Sequence, residues 1–169
     1  MTISKDLFMS ILSMDAYNRG YTPGIAGLAE TGKIGNATLL TRADIGVSTT
    51  EYQAWQAASF YAIAYNDPTN GTIISHRGTD SLPADLPVDL PLSFLASYQQ
   101  TQIALAQKFF DAVDGANGAS PMLLTGHSLG GALARRAQRG ALRGGARSHR
   151  PFQRSFGTPS ASVVASTRP

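Results

Sequence analysis

Ser128 sits two residues from a glycine on either side, in Gly126-His127-Ser128-Leu129-Gly130, and Gly131 follows. A serine hydroxyl is a weak nucleophile, so it must be exposed to a substrate and to a base before it attacks a carbonyl carbon. A sharp turn from strand to helix lifts the hydroxyl clear of a sheet. The backbone of such a turn is strained and its flanking positions must be small, which Gly126 and Gly130 are. The helix that follows aims free N–H groups and its positive dipole end at the serine. The N–H of Leu129 then stands where it donates to the oxyanion of a tetrahedral intermediate. The chemistry that fits is acyl transfer. A Gly-Ser turn without chemistry is the plainer alternative, and the flanking pattern opposes it. Met122–Thr125 is a short apolar strand running into the turn, and Gly130–Ala137 opens as a helix.

The elements that must position this turn are legible in part. Residues 4–19 read as a helix, with Leu7, Phe8, Ile11, Leu12 and Met14 near helical spacing, Ser4 as cap and Gly20 as stop. Residues 20–35 are glycine-rich and read as a loop, and Ala37–Thr41 as a short strand. Ser59–Tyr65 and Thr72–His76 flank the turn residues Asp67-Pro68-Thr69-Asn70-Gly71, which predicts a β-hairpin. Pro83, Pro87 and Pro91 exclude a regular helix or central strand over 81–94, yet Leu82, Leu86, Val88 and Leu90 keep the segment apolar. It is either a buried connection or a surface flap. Residues 97–114 follow as an amphipathic helix with Ile103, Ala106, Phe110 and Val113 on one stripe and Gly115 as its end. Strand, helix, strand, tight turn, helix is an α/β order.

The segment Ile73-Ile74-Ser75-His76-Arg77-Gly78-Thr79-Asp80 ends a strand and enters a loop. Together with Thr125-Gly126-His127-Ser128-Leu129-Gly130-Gly131-Ala132-Leu133-Ala134 it resembles the class 3 lipases, the fungal and bacterial triacylglycerol lipases of α/β-hydrolase fold. The resemblance covers residues 58–134, is loose over 1–57 and is absent after 135. It implies a carboxylic ester hydrolase with Ser128 as nucleophile, and Thr79 beside Leu129 as oxyanion donor through its backbone N–H and its hydroxyl. It implies an acyl ester or lipid substrate, and a lid where the Pro- and Leu-rich stretch stands. It requires no cofactor and no metal. His76 occupies the place where the family has Phe or Tyr. Arg77 reads as a structural ion-pair residue, and His127 as a packing residue turned away from the site.

A serine hydrolase also needs a base and an acid to orient it, in the order Ser, acid, His in α/β-hydrolases. No Asp or Glu follows Asp114, and His149 is the one histidine after Ser128. The charge pattern breaks at the same place. Residues 1–134 hold all 11 acids and six of the 14 basic residues, whereas 135–169 hold eight arginines and no acid. The expectation is an α/β chain with a partial α/β-hydrolase fold, a sheet with flanking helices whose C-terminal part is missing. Residues 1–134 would be the lipase-like domain and 135–169 an Arg-rich, poorly ordered tail without buried strands. Three explanations stand open. The chain is a truncated or frame-altered copy of a larger lipase, or His149 folds back as base on Asp80, Asp85 or Asp89, or a partner chain completes the site. The alternative function is a catalytically impaired remnant that binds acyl chains without turnover.

Composition bounds the remaining classes. With 169 residues, 43% hydrophobic and 15% charged, the chain is long enough for one domain with a core. It has no cysteine, which removes disulfides and thiolate chemistry. No apolar run spans a bilayer and the first residues lack the order of a signal peptide, so the default location is cytoplasmic. The arginine-rich tail lacks aromatic interleaving and any reader fold, so no nucleic-acid partner is expected. The oligomeric state is not encoded in any visible pattern.

Overall fold

The computed structural model describes residues 3–20, 31–78, 92–117, 121–144, 152–155 and 164–167. In chain order the elements are α1 (Lys5–Gly20), β1 (Lys33–Ile34), β2 (Ala37–Leu39), α2 (Thr49–Ala57), β3 (Ala62–Asp67), β4 (Gly71–His76), α3 (Leu92–Asn117), β5 (Met122–Gly126), α4 (Leu129–Gly144), β6 (Phe152–Ser155) and β7 (Val164–Thr167). The strands form one mixed sheet in the order β1-β2-β3-β4-β5-β7-β6. The chain is therefore α/β. No helix among the described residues is long and apolar enough to cross a membrane.

The centre of the sheet is the β3–β4 hairpin joined to β5. Asp67 builds the turn: its Oδ1 accepts from the N–H groups of Thr69 and Asn70, at 3.1 and 2.7 Å, and from Asn70 Nδ2 at 2.8 Å. Gly71 leaves the turn at φ +79°, and a Cβ there would overlap the Pro121 carbonyl, so only glycine fits. The hairpin pairs Ala62 with His76 and Asp67 with Gly71. β4 then pairs parallel with β5, from Thr72–Met122 to His76–Gly126. Parallel neighbours need a crossover, and α3 supplies it.

Alternation on β4 and β5 divides the core between two faces. Ile73 and Leu123 point toward α1 and pack with Met9, Leu12, Ala16 and Tyr65. Ile74 and Leu124 point the other way and pack with Phe109, Phe110 and Val113 of α3 and Leu133 and Ala137 of α4. The helices thus cover both faces, which is why β5 is buried along its whole length.

Several expectations need correction. α1 forms where the sequence indicates, with Leu7 N–H on Ser4 Oγ at 3.2 Å. Its buried side is different: Leu7 and Met14 are exposed, whereas Asp15 and Asn18 are buried. The reason is a polar cluster under the helix. Asp15 Oδ2 accepts from Arg19 Nε at 2.6 Å and from the Tyr65 hydroxyl. Burial and the neighbouring carboxylate push the Tyr65 phenol well above its usual range. α2 arises where no element was expected. Ser48 caps it, accepting from Glu51 N–H at 3.2 Å, and Trp55 anchors it against Phe60 and Phe109 with ring centroids 6.0 Å apart.

α3 starts at Leu92, inside residues 81–94 where the prolines argue against a helix, and runs past Gly115 to Asn117. Proline is tolerated just before a first turn, where its missing N–H has no partner to lose. Residues after 135 signal no strand in their composition, yet β7 pairs antiparallel with β5 and β6 with β7. The free edge of β5 offers main-chain donors and acceptors that pair without regard to side-chain composition. α4 likewise continues to Gly144, because Ala and Arg are good helix formers.

Candidate active site

Ser128 stands between β5 and α4, exposed, at φ +56°. A serine in left-handed backbone is strained by about 1–2 kcal/mol, and it persists only where its surroundings over-determine it. Three glycines do so. A Cβ on Gly126 would sit 2.7 Å from the His76 carbonyl oxygen and 2.5 Å from Gly130 C. A Cβ on Gly130 would overlap that same carbonyl and lie 2.9 Å from Arg77 C and Gly78 N. A Cβ on Gly78 would lie 2.8 Å from the His127 carbonyl and strike the Tyr17 hydroxyl. The end of β4 and the turn after β5 are in main-chain contact, with no room for a methyl group.

The first N–H groups of α4 are partly engaged. Gly130 N–H reaches His127 O at 2.9 Å, and Gly131 N–H reaches Ser128 O at 3.1 Å. Among the described residues nothing accepts the N–H of Leu129, the residue after Ser128. That donor lies at the positive end of a 16-residue helix, beside an exposed hydroxyl.

The other residues singled out in the sequence fall as follows. Arg77 is buried with its guanidinium over the Tyr61 ring, 5.1 Å from the centroid. Its packing therefore includes an aromatic face that an ion-pair reading did not foresee. His127 is exposed and meets Tyr17 edge-on, with centroids 5.9 Å apart. Tyr17, a residue of α1 that no local pattern distinguishes, lies with its hydroxyl 3.0 Å from Gly78 N. His76 is fully buried against Phe60 and Phe109, and no described residue partners either ring nitrogen. Thr79, His149 and the apolar stretch from 79 to 91 lie outside the described residues, as do Asp80, Asp85 and Asp89. A cavity of about 220 Å³ opens beside the β2–β3 edge, lined by Leu39, Val47, Trp55 and Phe109 among others; it does not include Ser128.

Burial lowers the His76 pKa to about 4 from an ordinary 6.5. The unfolded chain binds this proton below pH 6.5, while the folded chain refuses it until about pH 4. Stability is therefore complete above 6.5 and falls as the pH drops through that window, by up to about 3 kcal/mol. His76→Phe removes the titrating group while keeping a ring among Phe60 and Phe109. Urea denaturation at pH 7 and pH 5 should show its stability relative to wild type rising at the lower pH.

A family model described as Mbeg1-like matches residues 39–142, more than half of the 169-residue chain. The chain belongs to the Mbeg1-like family. This is a lipase-like family, and the matched span runs from β2 through most of α4. It therefore contains the hairpin, the β4–α3–β5 crossover and the turn at Ser128. No curated protein and no solved structure matches the chain.

Proposed function

We propose that this Mbeg1-like chain is a class 3 lipase-like serine carboxylic ester hydrolase with Ser128 as nucleophile. The Ser128 hydroxyl attacks the acyl carbonyl, its proton passes to an imidazole, and the oxyanion is held by the main-chain N–H groups of Leu129 and Thr79. We place the lipase-like domain in residues 1–134, with α4 running on into the arginine-rich residues 135–169. The substrate is an acyl ester. The observation that carries the reading is the exposed Ser128 at φ +56° beside the Leu129 N–H, which no described residue accepts. Ser59, just after α2, shares that backbone geometry at φ +57°, so what points to work for the Ser128 side chain is the strain together with its exposed place between Gly126 and Gly130 at the start of α4.

We take His149, the histidine that follows Ser128 in the chain, as the candidate base. In support, His76 is buried with no partner among the described residues, and the His127 ring meets Tyr17. The same geometry favours a second reading, an impaired remnant that binds acyl chains without turnover. Hydrolysis of p-nitrophenyl butyrate separates the two, with Ser128→Ala and His149→Ala alongside wild type. Loss of a robust rate in both variants assigns the base to His149. A feeble rate that only Ser128→Ala removes assigns the nucleophile and oxyanion donors without a base. A rate that survives Ser128→Ala overturns the proposal.

Strain at Ser128 yields a further expectation. Ser128→Gly relieves the left-handed backbone, so its melting temperature should rise, corresponding to up to about 1 kcal/mol, while ester hydrolysis disappears. A lower melting temperature would show that the turn is not strained.

A further inference from the structure

We infer that Tyr17 is a positioning residue that locks the loop after β4 onto the turn at Ser128; this rests on the proposed hydrolase reading. The phenol oxygen accepts the Gly78 N–H at 3.0 Å and lies 3.4 Å from both the carbonyl oxygen and Nδ1 of His127. A phenol has one proton and two lone pairs. It accepts from Gly78 and gives its proton to one of the two His127 atoms, so a single atom of α1 ties together the two main-chain segments that flank the site. Gly78 is glycine for the same reason, since a Cβ would strike that hydroxyl. Thr79 follows Gly78 directly, and Leu129 follows the His127–Ser128 pair. The placement of the proposed Leu129 donor against the end of β4 is therefore set by segments that meet at Tyr17.

An oxyanion donor works only when it stands about 3 Å from where charge develops, and small displacements are expensive in rate. Among the described residues Tyr17 reaches Gly78 and His127, which flank the site, by hydrogen-bond distances. Its effect must come through main-chain placement, so its loss should appear in the chemical step and not in substrate affinity.

The test uses Tyr17→Phe, which removes one oxygen, on the full chain. Phosphonylation by an aryl fluorophosphonate reads the oxyanion site directly, and amide hydrogen exchange at Gly78 reads the contact. The expected result is a protected Gly78 amide in wild type, faster exchange there in Tyr17→Phe, and a roughly 10–100-fold slower phosphonylation at unchanged reagent affinity. An unprotected Gly78 amide in wild type overturns the inference without any variant being needed. So does wild-type phosphonylation speed in a folded Tyr17→Phe. If wild type is not phosphonylated at Ser128 at all, the hydrolase reading fails, and the role of Tyr17 fails with it even where the Gly78 contact persists.

Discussion

Gly130→Ala is expected to destabilise the protein by about 3 kcal/mol or more. The added methyl would overlap the His76 carbonyl oxygen and come within 2.9 Å of Arg77 C and Gly78 N. These are main-chain atoms at the end of a fully paired strand, and they have no rotamer to move into. Relief requires parting β4 from the first turn of α4, which breaks the packing of Leu133 and Ala134 against Ile74 and Leu124. Gly115→Ala is the control. Gly115 lies within α3, is exposed, and a Cβ there meets nothing within 4 Å. Helix propensity alone then decides, and the substitution should stabilise by about 0.5–1 kcal/mol. Urea midpoints of the two variants should move in opposite directions; a tolerated Gly130→Ala would mean that the two segments are not in main-chain contact.

Asp15→Ala should be as damaging, about 3–5 kcal/mol. The carboxylate is completely buried and holds both Arg19, at 2.6 Å, and the Tyr65 hydroxyl. Removing it leaves a cation that is 11% exposed without its carboxylate, and a buried phenol without its acceptor. Asp15→Asn keeps an acceptor for Tyr65 and should lose roughly half as much. Arg19→Met, which removes the charge as well, should in combination with Asp15→Leu recover part of the loss, as replaced buried pairs often do. A double variant no better than Asp15→Ala would show that shape, and not the uncompensated charge, dominates.

How much of this was readable in the residues differs from element to element. The hairpin was legible because its turn chemistry is local: Asp67, Asn70 and Gly71 act within five residues of one another. The strand into Ser128 was legible for the same reason, with an apolar run stopping at a glycine. α2 was missed although Ser48 and Glu51 stand at capping-box spacing. Its nine residues contain only Tyr52 and Trp55 as large apolar groups, too few to show a period. The buried side of α1 was misread because Asp15 is inside through partners 4 and 50 residues away, Arg19 and Tyr65, and periodicity is blind to such pairing. The pairing of β7 with the edge of β5, and of β6 with β7, is made by main-chain groups and leaves no mark on composition.

At the site the division is similar. Gly126, Ser128 and Gly130 announce their geometry by type and spacing. Gly78 does so only once the Tyr17 hydroxyl is known to lie beside it, 61 positions away in the chain. Tyr17 itself offered no signal, since a tyrosine on an amphipathic helix is most simply a packing residue. His76 illustrates the reverse case. In sequence it was a departure from an aromatic position; in the structure it fills that position as a neutral ring between Phe60 and Phe109.

Covalent capture tests whether Ser128 is a nucleophile served by an oxyanion site, without depending on a base of known identity. The purified chain is incubated with an aryl fluorophosphonate, digested, and its peptides mapped by mass. The prediction is a single adduct on the peptide carrying Ser128, formed faster than on free serine, and absent from Ser128→Ala. No adduct on the folded chain, or an adduct on another residue that persists in Ser128→Ala, would contradict it.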